Sequence, residues 1–165
     1  MSRKKGFSLV ELLIVLAVMA ALIATITPVA LNAIKKSKAT QVAQNLKTLA
    51  SAIENAAYVN GVNSDGTIKK SSGTTTESIG LTDLGRDING KEYAVYYTGT
   101  FGEYEVRVIS LADADIDQVK TALKDAFTTT WGEENSYNHL KTSDWPTTIS
   151  DNKQVIAYTF TFSVY

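Results

Sequence analysis

Four sets of side chains in this sequence could do chemistry: Glu11, the triplet Asp113, Asp115 and Asp117, the lone His139, and the aromatics Trp131, Tyr137 and Trp145. A histidine can serve as a general base, but no nucleophile motif flanks His139, and its Tyr- and Asn-rich setting "NSYNHLKTS" reads as surface. No enzymatic activity is expected. The Asp triplet offers oxygen ligands of the kind hard cations take. An EF-hand loop starting at Asp113 would need Gly where Gln118 stands and Glu where Lys124 stands, so helix capping by Asp113 or Asp115 is the better reading. The chain has no cysteine, which removes disulfides and thiolate metal sites, and no metal or cofactor is expected. The three aromatics are candidates for loop anchors packed on a sheet, or for an adhesive or subunit-contact patch.

Glu11 is the residue whose setting demands explanation. It lies in "GFSLVELLIVLAVMAALIATITPVAL", where it is the only charged residue among residues 7–34. A charge in hydrocarbon costs roughly 2.5–3.5 kcal/mol on insertion scales, so Glu11 needs a partner. The element that positions it begins with 20 uncharged residues, 12–31, which at about 1.5 Å each reach the ~30 Å of a bilayer core. Arg3, Lys4 and Lys5 ahead of small residues at 20–24 also suit a secretory signal peptide. Against that, the apolar run exceeds the usual h-region and the helical pattern outlasts it. Ile34, Val42, Leu46, Leu49, Ile53 and Ala57 continue one face, Lys35, Lys36, Lys38 and Lys47 mark the other, and Asn60-Gly61 supplies a stop. A single helix over residues 7–59 is expected, apolar all round in its first half and amphipathic in its second. Pro28 should kink or loosen it near Ala24, with the Thr25 and Thr27 hydroxyls available to freed carbonyls. Three basic residues flank the run on each side, so the charge rule gives no orientation.

The rest of the chain differs in kind. From residue 61 onward nine Lys or Arg face fifteen Asp or Glu, an acidic balance unsuited to a nonspecific nucleic-acid surface. Residues 60–80, rich in Gly, Ser, Thr and Asn, read as a surface loop. "KEYAVYYTGTFGEYEVRVISL" reads as a hairpin turning at residues 99–102, with Tyr93, Val95 and Tyr97 alternating against Tyr104, Val106 and Val108. Ile116, Val119, Leu123 and Phe127 form a helical stripe. "QVIAYTFTFSVY" is a strand with Ile156, Tyr158, Phe160, Phe162 and Val164 toward one side. An antiparallel sheet of at least three strands, covered by the upper half of the long helix and by the short helix, gives an α+β fold. The region 128–152, without a disulfide, must be held by packing through Trp131, Tyr137 and Trp145.

A basic leader ending in Gly6, followed by Phe7, Glu11 and Pro28 in a long apolar helix, resembles the N-terminus of type IV prepilins and type II secretion pseudopilins. The likeness covers residues 4–31 and continues more loosely to residue 59. It implies a pilin-like fold: leader 1–6, transmembrane and polymerisation half 7–34, amphipathic half 35–59 and head domain 60–165. It further implies cleavage between Gly6 and Phe7 by a prepilin peptidase, and N-methylation of Phe7. Glu11 of one subunit would then meet the Phe7 amine of the next, selecting the axial register; the alternative is that Glu11 complements the positive end of its own helix. The family's partners are further copies in a helical filament and the assembly ATPase with its membrane platform. Such a subunit waits in the inner membrane as a single-pass protein with its head outside the cytoplasm, then joins a cell-surface or periplasmic filament. Adhesion, motility and DNA uptake, or service in a secretion pseudopilus, are the implied functions; the rival from another class is a single-pass anchored binding domain.

Overall fold

The computed structural model describes residues 6–70, 78–85, 87–100, 102–131, 138–140 and 153–165. The chain divides into two compact units, one ending at Ser37 and the other comprising Lys38–Tyr165. Helix α1, Leu9–Asn60, is a single element that contributes residues to both.

In the first unit every described side chain is exposed, among them Leu12, Ile14, Leu16, Val18, Leu22, Ile26 and Leu31. Leu, Ala and Met supply helix propensity here, and the β-branched Ile and Val are tolerated once the backbone has nothing else to bond. The helix runs through Pro28 without a break. The Thr25 hydroxyl donates to the Leu22 carbonyl at 2.9 Å and the Thr27 hydroxyl to the Ile23 carbonyl at 2.7 Å. Both bonds therefore fall just before Ala24, whose carbonyl is the one that the missing Pro28 N–H leaves over. Among the described residues α1 is the one helix long and apolar enough to cross a membrane.

The second unit is a five-stranded antiparallel sheet in the order β3-β5-β2-β1-β4, built from β1 (Tyr93–Thr100), β2 (Glu103–Ser110), β3 (Phe127–Thr130), β4 (Asn138–Leu140) and β5 (Gln154–Ser163). Its inner face carries Tyr93, Val95, Tyr97, Tyr104, Val106, Val108, Ile156, Tyr158, Phe160 and Phe162, all in one core with α1. The α1 side of that core is Ala39, Val42, Ala43, Leu46, Leu49, Ala50, Ile53 and Ala57. Each fully buried Leu or Ile contributes about 1.5–3 kcal/mol, which makes Leu46, Leu49 and Ile53 the strongest bonds of helix to sheet. Asn45 Nδ2 donates to the Tyr93 hydroxyl at 3.2 Å, fixing the helix against β1. Gly61, with φ +75°, ends α1 by donating its N–H to the Ala57 carbonyl at 3.1 Å.

At the hairpin end of the sheet Gly99 lies opposite Tyr104, and the tyrosine ring occupies the space a Cβ on Gly99 would take. Tyr104 in turn stacks on Phe162, with ring centroids 5.3 Å apart. Both predicted hairpin strands and their inward residues are found where expected, as is the alternation of the last strand.

Other expectations change. Residues 61–70 are more than a surface loop: Ile68 is fully buried, bridges to Val62, and donates its N–H to the Tyr97 hydroxyl at 3.3 Å. Two apolar residues among polar ones, Ile68 and the half-buried Val62, fold the segment back onto the core. A short helix, α2 (Leu81–Leu84), follows with Leu81 and Leu84 buried. The third helix, α3, is only Ile116–Ala122, and Phe127 lies beyond it in β3, facing the outer side of the sheet. Pairing of residues 127–130 with β5 overrides the helical spacing. The outer face is itself partly a core, where Ala94, Tyr96, Ile109, Val155 and Ala157 are buried with Leu111, Phe127 and Trp131 packed on them. Trp131 meets Tyr96 edge-on at 6.0 Å, in keeping with an anchor; Tyr137 and Trp145 lie outside the described residues.

Candidate processing and assembly site

The N-terminal segment places its polar atoms economically. Ser8 is the last residue before α1, and its carbonyl accepts the first helical bond, from the Leu12 N–H at 3.2 Å. The Ser8 N–H donates to Glu11 Oε2 at 2.8 Å. This is the carboxylate half of a capping box, with Glu11 three residues into the helix and reaching back over its first turn. The carboxylate also stands at the positive end of the helix dipole, an arrangement worth about 0.3–1 kcal/mol. Glu11 therefore has a local partner in the single chain, and the Ser8-Leu-Val-Glu11 spacing announces it in the sequence. Ser8 is the residue that pattern reading passed over, although S-x-x-E ahead of an apolar run is a helix-start signature.

Phe7 is 89 % exposed. Among the described residues an added Cβ at Gly6 would meet nothing within 4 Å, so neither φ nor their packing calls for glycine there. A residue type that the fold does not require is one that something outside the fold can read. No other Asp or Glu occurs before Glu54, so any cation created near Phe7 has Glu11 as its sole anionic neighbour along the chain.

The other candidates take structural places. Asp115 is the N-cap of α3 and accepts from the Asp117 N–H at 2.9 Å. No three His, Cys, Asp or Glu side chains converge among the described residues. His139 is exposed on β4, its ring 6.3 Å from that of Tyr96. In the second unit, burial raises the tyrosine hydroxyls of Tyr93, Tyr97 and Tyr104 above their ordinary range. Bonds from the Thr67 hydroxyl and N–H hold Asp65 below its own.

Residues 1–27 match the family model described as the prokaryotic N-terminal methylation motif. Neither the curated proteins nor the solved structures contain a match to the chain. The motif, at the start of a long helix packed farther on against an antiparallel sheet, supports a type IV pilin- or pseudopilin-like protein with a prepilin-type leader. It is a structural subunit and not an enzyme; its leader implies processing by prepilin peptidase, and α1 fits a single-pass anchor.

Proposed function

We propose that this chain is the subunit of a type IV pilus-like filament, cut between Gly6 and Phe7 and methylated on the new Phe7 amine. The observation that carries this is the coincidence, at one terminus, of the methylation motif, a glycine the fold does not need, and an exposed apolar first half of α1 whose single carboxylate sits in the first turn. Residues 1–6 serve as leader, 7–34 as the membrane and polymerisation segment, 35–59 as the amphipathic half of α1 and 60–165 as a head outside the cytoplasm. Cleavage adds an ammonium one residue before the N-cap, next to the positive end of a helix. That end then attracts anions more strongly, and Glu11 of a neighbouring copy can serve as one while retaining its geometry. A filament results because head-to-tail contacts do not close.

The assembly ATPase and its platform would supply the work of extraction, and adhesion, motility or DNA uptake would follow from a surface pilus. The same chemistry serves a secretion pseudopilus. The N-terminal mass and sequence of the membrane-extracted protein test the proposal. A chain starting at Phe7 with one added methyl supports it; one retaining Met1 would mark a permanently anchored domain instead. Shed surface filaments against lost secretion on deletion then separate pilus from pseudopilus.

A further inference from the structure

The sheet handles its two edges differently. At β1, beyond β4, the loop at Gly66 lies close to the Gly99 carbonyl, 3.1 Å from where a Gly66 Cβ would stand. At the other side β3 covers only residues 154–157 of β5, so among the described residues nothing pairs with residues 158–163 on that side. Exposed edges are ordinarily guarded by Lys, Pro, a bulge or inward charge. Here there is no charge and no proline from Gln154 to Tyr165, and the register with β2 continues without a bulge.

The direction of the backbone groups is fixed by their neighbours. The Lys153 carbonyl accepts from the Trp131 N–H on the β3 side, and the Val164 N–H donates to the Gly102 carbonyl on the β2 side. Alternation then aims the N–H and C=O of Thr159 and Thr161 at the open edge. Side chains alternate too: Tyr158, Phe160 and Phe162 form a stacked ladder on the inner face, with neighbouring centroids 5.8 and 5.9 Å apart, and Thr159 and Thr161 lie on the outer.

We propose that residues 158–162 of β5 pair antiparallel with the same residues of a second copy of this chain, about a two-fold axis at Phe160. The edge is complementary to itself in that register. Thr159 and Thr161 of opposite copies exchange their N–H···O=C bonds, Phe160 meets Phe160, and Tyr158 meets Phe162. Aromatic and Thr–Thr cross-strand pairs are the favourable ones. A one-residue slip sets threonine against aromatic, and centring on Thr161 loses one aromatic pair. β3 of each copy ends the contact at Ala157. The pairing joins molecules whose strands run in opposite directions, and it does not depend on leader cleavage.

The absence of native cysteine allows a register-specific test on the full chain in detergent. Thr159→Cys and Thr161→Cys variants, tagged for different sizes, are oxidised separately and mixed. Opposed residues fall in disulfide range, whereas each cysteine is roughly 7–8 Å from its own copy, which is too far. The expected result is at least about ten-fold more cross-linked heterodimer in the mixture than homodimer in either variant alone. Equal yields, dominant Thr161→Cys homodimer, or cross-linking no faster than that of Thr82→Cys on α2 would overturn the proposal. In the unmodified protein, amide exchange at Thr159 and Thr161 should slow as concentration rises, while Phe160 and Phe162 stay protected throughout. Unchanged exchange at Thr159 and Thr161 would also overturn it.

Discussion

Replacing Glu11 separates its hydrogen bond from its charge. In Glu11→Gln the amide oxygen can still accept from the Ser8 N–H, since glutamine serves in a capping box, and only the charge–dipole part, about 0.3–1 kcal/mol, is lost from the single chain. Glu11→Val removes the bond as well, yet eases insertion, by less than the roughly 2.5–3.5 kcal/mol that a charge costs at a helix centre, since Glu11 lies in the first turn. Both variants should accumulate in the membrane and be processed. Assembly should respond differently. If Glu11 faces a neighbour's Phe7 amine away from water, leaving that cation alone costs about 3–5 kcal/mol per contact. That is roughly two to four orders of magnitude in the equilibrium for adding a subunit. The assay is the sheared filament fraction per processed subunit, with processing read from N-terminal mass. Glu11→Gln should be nearly as defective as Glu11→Val. If Glu11→Gln assembles like the parent and only Glu11→Val fails, the cap at Ser8 explains the carboxylate and the intersubunit charge argument is wrong.

Gly6→Ala should leave helix content unchanged, because the added methyl meets nothing, while cutting processed product severely; a loss of helicity by circular dichroism would contradict the first half. Leu46→Ala removes a fully buried side chain between helix and sheet and should cost about 2–5 kcal/mol, read as a lower denaturation midpoint. Burial raises Tyr97 and Tyr93 above the ordinary 10.0, so their contribution is complete below pH 10 and lost as pH rises through their folded values. Absorbance titration should show tyrosines that ionise only with alkaline unfolding. Asp65 has the opposite sign: its bonds from Thr67 strengthen the 61–70 loop above the ordinary value of 3.8 and weaken as pH falls below it, and Asp65→Asn should abolish that acid response in loop amide exchange.

The parts of the fold that announced themselves were those with sustained periodicity. The stripe from Val42 to Ala57, the alternation around Tyr97 and Val106, and the run ending in Phe162 each repeat long enough to fix both the element and its buried face. β3 and β4 are too short to show a period, and they exist because β5 and β1 offer edges for them. Phe127 fitted a helical stripe by spacing alone, and a tertiary pairing took it. Ile68 lacked apolar neighbours in sequence, and its core position depends on Tyr97, 29 residues away. At the candidate site Glu11 stood out through charge, whereas Ser8 was hidden by being ordinary; only the spacing between them carried the information.

The position of β5 also governs when the second unit can come into being. It is the latest of the five strands to be synthesised, yet it lies between β2 and β3 and not at a margin. Until it emerges, β3 has no strand to join and the inner face lacks Ile156 and the aromatic ladder. The helix is made first, about a hundred residues earlier, so its upper stripe can be only partly covered until β5 has been made. The apolar half of α1 is thus complete well before the sheet can close, and the second unit locks only once its final strand has been made.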